Sequence, residues 1–379
     1  MAERHDGRRL RVALITSAPA PYRVPAYAAA AAVSGWDWHI LYCARPYIDP
    51  SLSLTAPGVS SHFLPGRFLA FERRFFHADA AVWRVLGAVQ PDVVITTGFI
   101  PSYLLAYAWA RRHGRPHVAM TDGTLRHEAH LSAVHRALRR WIYRRSAAGI
   151  GASRASMALL QHYGLPADRC HQAPICTDNR PFAPRPEQPR PVDFLFSARF
   201  VETKQPLFAL EVAHRTAEIL GRPVRLRWLG AGPLEPLLRE RAAERAGTVH
   251  SEFLGWRPQA ELPALYCEAR LFLFPTTWEA WGLVANEACA AGVPVFTTPQ
   301  AGCAGELVVD GLSGRVGPLD AEAWARAAAG LLSDATAWDR LSQGALQCVA
   351  PLNFDAAAAG LVGAVRQALT SPLPVGPSA

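Results

Sequence analysis

Two cationic residues flank a predicted turn between a strand and a helix. Arg199 and Lys204 lie in the segment SARFVETKQPLFAL, residues 197–210, which follows the apolar run VDFLFSA. A helix N-terminus with two cations beside it is suited to an anion such as a diphosphate. Lys204 is the only lysine in a chain with 38 arginines. This bias indicates that the position needs a compact ammonium rather than a planar guanidinium, with chance as the alternative.

Two carboxylates are spaced eight positions apart in a second segment, LFLFPTTWEAWGLVANEACAAGVPVFTT, residues 271–298. Glu279 follows a predicted strand and lies in a loop from which it could reach a sugar. Glu287 lies one turn into a short predicted helix. There its carboxylate could accept hydrogen bonds from two adjacent hydroxyls, as on a ribose. Two solvated glutamates near a helix start would give the same spacing.

The start of that helix, predicted over residues 283–291, offers further donors to an anion. Gly282 precedes it and allows the backbone to approach a ligand closely. The amides of Leu283 and Val284 have no partner within the helix and would then point at an anion. The segment therefore predicts a site for a phosphorylated, hydroxyl-rich molecule.

Strands and helices that alternate along the chain must position these side chains. Short apolar runs alternate along the chain with longer segments rich in Ala, Leu and Arg. This alternation predicts an α/β fold with parallel sheets and helices on both faces. Ligands of such sheets bind beyond the carboxyl ends of the strands. The predicted strands are residues 11–17, 37–43, 92–98, 117–123, 148–153, 192–198, 224–230, 251–256, 270–276 and 293–299.

A proline-rich segment divides the chain. Residues 181–191, PFAPRPEQPRP, hold five prolines in eleven positions, which blocks both a helix and a central strand. We therefore expect two Rossmann-like, doubly wound domains that face each other across a cleft. The predicted boundaries are 1–182 for the first domain, 183–191 for the linker, 192–352 for the second domain, 353–370 for a C-terminal helix packing back on the first domain, and 371–379 for a disordered tail.

Charge is distributed unevenly between the two halves. Residues 1–182 carry a net charge of +11 and residues 183–379 a net charge of −3. A basic first half predicts an anionic partner such as a membrane surface, a lipid phosphate or a nucleic acid, and a solvated surface is the alternative.

The amino-acid composition excludes several classes of protein. Half of the 379 residues are hydrophobic, which excludes overall disorder. No window approaches ~18 uninterrupted apolar residues, and the charged N-terminus lacks the apolar core of a signal peptide. The seven cysteines are scattered and form no CxxC pair. This pattern argues against a disulfide framework or a structural zinc site and fits a reduced cytosol.

The motifs SARFVETK and WEAWGLVANEACAAGVPV together resemble the signature of retaining family-4 (group 1) glycosyltransferases with the GT-B fold. Four further segments resemble other parts of that family, so that the resemblance covers about half of the chain. They are IGASRASMALLQHYGLPADRCHQAPICTDNRPF, WLGAGPLEPLLRE, FLGWRPQAELPALYCEARLFLFPT and AGCAGELVVDGLSGRV.

The resemblance implies roles for the residues of the second domain, which would bind a nucleotide sugar. Arg199 and Lys204 would hold the diphosphate, and with Glu279 they are the expected catalytic residues. Glu287 would bind the ribose and Glu279 the hydroxyls of the donor sugar. Gly282, Leu283 and Val284 complete the predicted donor site, and Trp256 and Arg257 lie where the base-binding loop of the family falls.

The resemblance also implies a reaction without a metal cofactor. No Asp-x-Asp occurs in the chain. Cationic side chains and a helix dipole would stabilise the departing diphosphate instead. The family retains the anomeric configuration, commonly described as front-face attack in which the leaving phosphate takes the proton of the acceptor. The expected donor is linked to UDP, on family frequency alone.

Less is predicted for the first domain, which the resemblance makes the acceptor-binding one. Many family members carry a Gly-Gly near its first turn, TSAPAPYRVPAYAAA, and this chain does not. Arg23 in that turn is a candidate for the cleft. Asp122 and His127 lie in the loop TDGTLRHEAH, where the family usually lines the acceptor site. A turn-forming Asp-Gly and a surface histidine are the alternative.

Two basic stretches of the first domain also carry aromatic residues, HRALRRWIYRRS (135–146) and RFLAFERRFFHAD (67–79). Either could lie on the anionic inner face of a membrane, with the acceptor linked to a lipid. The alternative is that the apolar residues face the core and the arginines face water.

The sequence thus predicts a cytoplasmic bacterial glycosyltransferase, of polysaccharide biosynthesis or a related pathway, that acts on a glycan, lipid-linked or small-molecule acceptor. A nucleotide-sugar epimerase of similar fold is the first alternative, and it would convert the donor alone to an isomer. A nucleic-acid-binding protein is the second, but no recognisable reading motif accompanies the basic charge. A dehydrogenase is excluded because no Gly-x-Gly-x-x-Gly follows a strand.

Overall fold

The chain divides into two compact units in a computed structural model. Unit 1 comprises residues 1–175 and 354–379, and unit 2 comprises residues 176–353. The structure describes residues 4–5, 8–43, 56–66, 68–71, 74–126, 128, 131–185 and 187–371.

Unit 1 is built from strands and helices that mostly alternate. Its strands are β1 (Arg4–His5), β2 (Arg8–Arg9), β3 (Arg11–Thr16), β4 (Asp37–Tyr42), β5 (Val59–Phe63), β6 (Phe68–Phe71), β7 (Arg74–His77), β8 (Val93–Thr96), β9 (His117–Thr121), β10 (Ala148–Gly151) and β11 (Cys170–Gln172). Its helices before residue 175 are α1 (Val24–Ser34), α2 (Ala81–Val89), α3 (Pro101–Arg112), α4 (Ala133–Tyr143) and α5 (Arg154–His162).

Within its described residues, unit 1 has a seven-stranded sheet in the order β11-β10-β9-β8-β3-β4-β5, with every neighbouring pair parallel. The direction in which strands are added reverses between β3 and β8. Two short antiparallel pairs, β1-β2 and β6-β7, stand outside this sheet. The central strands are buried on both faces, as parallel strands covered by helices must be.

Unit 2 repeats the alternation. Its strands are β12 (Val192–Ser197), β13 (Val224–Leu229), β14 (Val249–Gly255), β15 (Ala269–Phe274), β16 (Val295–Thr297) and β17 (Gly314–Val316). Its helices are α6 (Pro206–Leu220), α7 (Glu235–Glu244), α8 (Leu262–Cys267), α9 (Leu283–Ala290), α10 (Ala321–Ser333) and α11 (Ala335–Val349).

All six strands of the unit 2 sheet are parallel, in the order β14-β13-β12-β15-β16-β17. Numbered within the unit, this is 3-2-1-4-5-6, the Rossmann order, with its reversal between β12 and β15. The core includes the buried rings of Phe194, Phe196, Trp228 and Trp324. The predicted α/β fold with two Rossmann-like units is therefore confirmed.

The last helix, α12 (Phe354–Thr370), returns to unit 1 and packs against α1, β10 and β11. It matches the helix expected over 353–370. Residues 372–379 of the expected tail lie outside the described part of the chain.

The division between the units differs from the predicted one. It falls after residue 175, so the proline-rich segment 183–191 belongs to unit 2. Buried Phe182 and the guanidinium of Arg190 anchor it there, the latter by donating to the carbonyl oxygens of Ala269 and Ala291 at 2.8 Å each. Proline density predicts an extended backbone, but it does not predict whether that backbone is packed.

Among the described residues, one stretch, 335–370, has the length and hydropathy of a membrane-spanning helix. A turn at residues 350–353 breaks it into α11 and α12, and each of these helices buries an apolar face in its own unit.

Candidate functional site

The loops that follow β12 and β15 are joined at the carboxyl edge of the unit 2 sheet. These strands flank the reversal in strand order, where ligands of open α/β sheets bind. The Thr276 hydroxyl donates to the Thr203 carbonyl oxygen at 3.0 Å, and the Thr277 amide donates to the same oxygen at 2.9 Å. Two segments more than 70 residues apart in sequence therefore form one surface.

Lys204 and Glu279 meet on this surface. The Lys204 ammonium donates to Glu279 Oε2 at 2.5 Å, and Nζ lies 5.6 Å from the centroid of the Phe274 ring. The side chains keep 14% and 24% of their exposure, so the pair is partly withdrawn from water and still reachable. Glu279 Oε1 also accepts a hydrogen bond from the Trp281 amide at 3.4 Å. These contacts hold the partly exposed ammonium at the reversal in strand order.

Arg199 projects from the same loop into solvent. Its carbonyl accepts from Val201 N at 2.9 Å, and the next amide, Phe200 N, donates to the Ala231 carbonyl at 3.0 Å. Gly232 belongs to the turn after β13, and a Cβ there would lie 2.5 Å from the Phe200 carbonyl oxygen. The backbone around Arg199 is thus fixed by close contact, while no hydrogen bond or ion pair joins its guanidinium to the residues that the structure describes.

The N-terminus of α9 lies beside the Lys204–Glu279 pair. Gly282 is its N-cap, with φ +105°, and a Cβ at this position would lie 2.6 Å from the Phe274 ring. Only glycine fits here, because both the backbone angle and the ring exclude a side chain. The amides of Leu283 and Val284 then open the helix at a half-buried position. The Lys204 ammonium and a helix start therefore lie next to each other, an arrangement suited to an anion.

Glu287 lies one turn further along α9 and is buried, with 6% of its surface exposed. Its Oε1 accepts a hydrogen bond from Gln259 Nε2 at 3.0 Å, and the buried ring of Tyr266 lies beside it. Burial raises the pKa of Glu287, and its interactions with Gln259 and Tyr266 oppose that rise. A buried carboxylate with one amide donor retains unused acceptor positions, which suits hydroxyl groups of a ligand.

The segment after β14 contacts Glu287 through a residue that sequence analysis did not identify. Gln259 makes this contact, whereas the Trp256 side chain is 76% exposed. Arg257 donates to the Leu254 carbonyl oxygen at 3.1 Å and contacts Glu261 at 3.4 Å. The structure thus ties Arg257 to its own loop and leaves Trp256 in solvent. Glutamine has no motif of its own, so no sequence signal marked Gln259.

Unit 1 has a cavity of about 250 Å³ at its own reversal in strand order, at the carboxyl ends of β3, β8 and β9. Arg23 and Asp122 both line it and form an ion pair, with side-chain exposures of 9% and 43%. The guanidinium also reaches the Ala173 carbonyl at 3.5 Å. Four aromatic side chains complete much of the wall: Tyr22, Tyr27, Phe99 and Tyr103.

Two of the three candidates in the first half of the chain are therefore brought together, and His127 lies outside the described residues. Asp122 is not merely a turn former, since it neutralises a buried guanidinium. Burial raises the pKa values of Tyr27 and Tyr103, so both hydroxyls are neutral at physiological pH. The cavity offers aromatic surface, neutral hydroxyls and one reachable carboxylate, a set suited to a polyhydroxylated molecule.

Comparisons with known proteins agree with this architecture. The family model for glycosyl transferases group 1 matches residues 179–347, and the model for glycosyltransferase family 4 matches residues 22–179. Together they span most of both units.

Among curated proteins, D-inositol 3-phosphate glycosyltransferase of Corynebacterium urealyticum is 36% identical over 145 residues, which cover 38% of this chain and 34% of that protein. The putative colanic acid biosynthesis glycosyltransferase WcaL of Escherichia coli is 31% identical over 167 residues, 42% of this chain and 41% of WcaL. The chain therefore spans less than half the length of the curated relatives it matches.

Solved structures share the fold over nearly the whole chain. Anabaena HepE in complex with UDP has a TM-score of 0.71 at 16% identity, covering 96% of this chain and 99% of that one. A glycosyltransferase from Rickettsia africae has the same TM-score at 13% identity, with coverages of 96% and 99%.

Proposed function

The chain belongs to the group 1, family-4 glycosyltransferases of GT-B fold, and from this premise we propose that it transfers a sugar from a nucleoside-diphosphate donor to a hydroxylated acceptor. The observation that carries the proposal is the meeting of Lys204 and Glu279 at the reversal of the unit 2 sheet, next to the α9 N-terminus. A diphosphate needs a cation and a sugar needs an acceptor for its hydroxyl groups. The Lys204 ammonium and the Glu279 carboxylate supply the two side by side.

In the proposed reaction, the bond between the anomeric carbon and the diphosphate oxygen breaks while the acceptor oxygen bonds to that carbon from the same face. The acceptor proton passes to the departing phosphate, so the anomeric configuration is retained and no protein nucleophile is needed. Negative charge develops on the diphosphate. Lys204, Arg199 and the first amides of α9 are the groups that would stabilise it, without a metal ion.

Each part of the donor has a candidate partner in unit 2. Glu279 would accept hydrogen bonds from the sugar hydroxyls, and Glu287, held by Gln259, would accept them from the ribose. Exposed Trp256 is available to stack on the base, whereas Arg257 is engaged within its loop. Anabaena HepE was solved with UDP and with UDP-glucose, which favours UDP as the carrier of the donor.

The unit 1 cavity would take the acceptor. Its aromatic wall fits the apolar face of a sugar ring, and the Asp122 carboxylate can accept hydrogen bonds from hydroxyls. We propose a glycan, a glycolipid or a small polyhydroxylated molecule. Sequence similarity to a putative colanic acid biosynthesis glycosyltransferase supports a role in polysaccharide assembly. All seven cysteines are free, as is typical of the cytoplasm, where we place the enzyme.

A thermal-shift screen without metal tests this function. Wild-type protein is mixed with UDP, GDP, ADP, CDP or TDP in EDTA, and UDP is expected to raise the melting temperature. Ligand at ~100 times its dissociation constant stabilises the folded state by about 2.7 kcal/mol. With the matching nucleotide sugar and an acceptor, transfer is expected to persist in EDTA.

The outcomes separate the parts of the proposal. A shift or a transfer that appears only after Mg²⁺ or Mn²⁺ is added would contradict the metal-independent mechanism. Isomerisation of the donor without any acceptor would identify an epimerase. If no nucleotide and no nucleotide sugar stabilises the protein, the donor site is wrongly assigned.

Glu287→Gln is expected to weaken UDP binding about 10- to 100-fold, since a charge-assisted hydrogen bond contributes about 1.5–3 kcal/mol. The unliganded variant should nevertheless melt at the same or a higher temperature at neutral pH. Burial raises the pKa of Glu287, so folding disfavours its charged form, and this penalty is present above the folded pKa and fades as the pH falls. The stability advantage of the glutamine should therefore shrink toward acidic pH.

Calorimetric titration with UDP and melting curves between pH 5 and 8 check this prediction. Glu240→Gln, an exposed change on α7 of the same unit, is the matched control and should alter neither quantity. Unchanged UDP affinity in Glu287→Gln would remove the ribose role.

A further inference from the structure

Helix α4 presents an unusual face to solvent. Residues 131–146, which contain it, include five arginines and no acidic residue. Ile142 and Tyr143 are buried and attach the helix to unit 1. Most of the remaining side chains of α4 are exposed, including the apolar residues Val134 and Trp141, which retain 77% and 46% of their accessible surface.

The positive charge of this face is largely uncompensated. Arg139 is the exception, because it pairs with Glu128 at 2.6 Å and lies over the Phe99 ring. Arg140 and Arg144 make no ion pair with any residue in the described part of the chain. Arg145 donates to a carbonyl oxygen, which leaves its charge unneutralised.

Trp141 is held in place rather than free. Its ring meets the Tyr107 ring edge-on, with centroids 5.5 Å apart, and the Arg145 guanidinium lies 4.9 Å from the Trp141 centroid. An exposed indole flanked by arginines, on a helix whose opposite face is buried, is the arrangement that inserts at the boundary between lipid headgroups and acyl chains.

We propose that α4 docks unit 1 on an anionic lipid bilayer, with Arg140, Arg144 and Arg145 against the headgroups and Trp141 and Val134 inserted between them. Charge complementarity selects this occupant, since residues 1–182 carry a net +11. A nucleic-acid duplex would use the same charges and would gain little from Val134 and Trp141, because its bases are already stacked on one another. Arg139 of α4 lies over the ring of Phe99, which lines the unit 1 cavity, so docking places that cavity near a lipid-linked acceptor; this last consequence rests on the proposed function.

Vesicle sedimentation with the full chain tests the docking itself, in the absence of donor and acceptor. Wild-type protein is expected to pellet with vesicles of equal parts phosphatidylglycerol and phosphatidylcholine, not with pure phosphatidylcholine, and to be released by ~0.5 M salt. Arg140→Glu/Arg144→Glu should weaken binding about 30-fold or more, because each lost cation alone contributes about 1 kcal/mol at an anionic surface.

Three further variants test whether binding depends on the charge and the indole of α4. Arg140→Lys/Arg144→Lys preserves charge and should bind like wild type, and Trp141→Ala should bind more weakly at the same net charge. Arg225→Glu/Arg340→Glu makes the same charge change on exposed unit 2 residues and should bind like wild type. Circular dichroism melts exclude misfolding.

The proposal is overturned if wild type does not pellet with anionic vesicles, or if the α4 and unit 2 charge reversals weaken binding equally. It is also overturned if duplex DNA binds, vesicles do not, and the α4 reversal abolishes the DNA complex. Because no sugar transfer is measured, failure here leaves the proposed enzymatic function standing, and the reverse also holds.

Discussion

Replacing Lys204 with alanine is expected to lower the turnover of the nucleotide sugar at least ~100-fold, the scale for losing one group that stabilises transition-state charge. The variant loses the ammonium that lies 2.5 Å from Glu279 Oε2. It also leaves the Glu279 carboxylate unpaired where the diphosphate would bind, which adds repulsion. Arg199→Ala is expected to lose activity on the same scale, because the Arg199 guanidinium is otherwise unengaged among the described residues.

Initial-rate kinetics with wild type, Lys204→Ala and Lys204→Arg measure the effect. The arginine variant keeps the charge but places a planar fork between Phe274 and Glu279, so we expect partial activity, between alanine and wild type. Arg225→Ala removes an exposed cation of unit 2 and serves as the matched control.

Glu279→Gln on the Lys204→Ala background completes a double-mutant cycle. The second change should cost less there than in wild type, because the ion pair is already broken. Full activity in either Lys204→Ala or Arg199→Ala would show that the diphosphate is held elsewhere.

Gly302→Ala is expected to destabilise unit 2 by about 3 kcal/mol or more, at the upper end for overpacking, and to lower its melting temperature by at least ~6 °C. A Cβ at this position would lie 1.8 Å from the Ala280 carbonyl oxygen, a contact that backbone atoms can relieve only by moving. The Gly302 amide also donates to the Glu279 carbonyl at 3.0 Å. Displacing this part of the loop therefore shifts Glu279. Sugar transfer should then be reduced even at temperatures at which the variant is still folded.

Gly330→Ala adds the same methyl group in the interior of α10, where nothing lies within 4 Å of the new Cβ. It should leave stability unchanged or raise it by up to ~1 kcal/mol, because alanine is the better helix former. Differential scanning calorimetry compares the two. Equal melting temperatures for Gly302→Ala and wild type would mean that the 279–302 contact does not constrain the loop.

Much of the secondary structure could be predicted from short stretches of sequence. Each of the ten predicted strands overlaps an observed one, because a buried parallel strand appears as a continuous apolar run. The strands that escaped prediction include β5, β11 and β17. Their sequences, VSSHF, CHQ and GRV, are short or polar and hold no such run. The antiparallel pair β6 and β7 was not predicted either, because it lies in a stretch that was interpreted as a basic surface segment.

The basic stretch over α4 shows what helical periodicity predicts about burial and what it does not. Helical spacing placed Leu138, Trp141 and Ile142 on one apolar side. The structure separates them, burying Ile142 and leaving Trp141 nearly half exposed. Neighbours from α3, such as Tyr107, decide which apolar side chain faces the core, and helical periodicity carries no information about those neighbours.

The sequence by itself determined the α/β alternation, the family, and the residue types at the donor site, with Lys204 marked by its rarity and Gly282 by the motif around it. The tertiary structure decided which of these residues meet. Lys204 and Glu279 are 75 positions apart, and Arg23 and Asp122 are 99 apart. The Gln259 contact to Glu287 and the packing of the proline-rich segment into unit 2 were likewise decided there. The reason is physical: apolar periodicity acts over a few residues, whereas adjacency at a sheet edge depends on the order in which crossover connections lay the strands side by side.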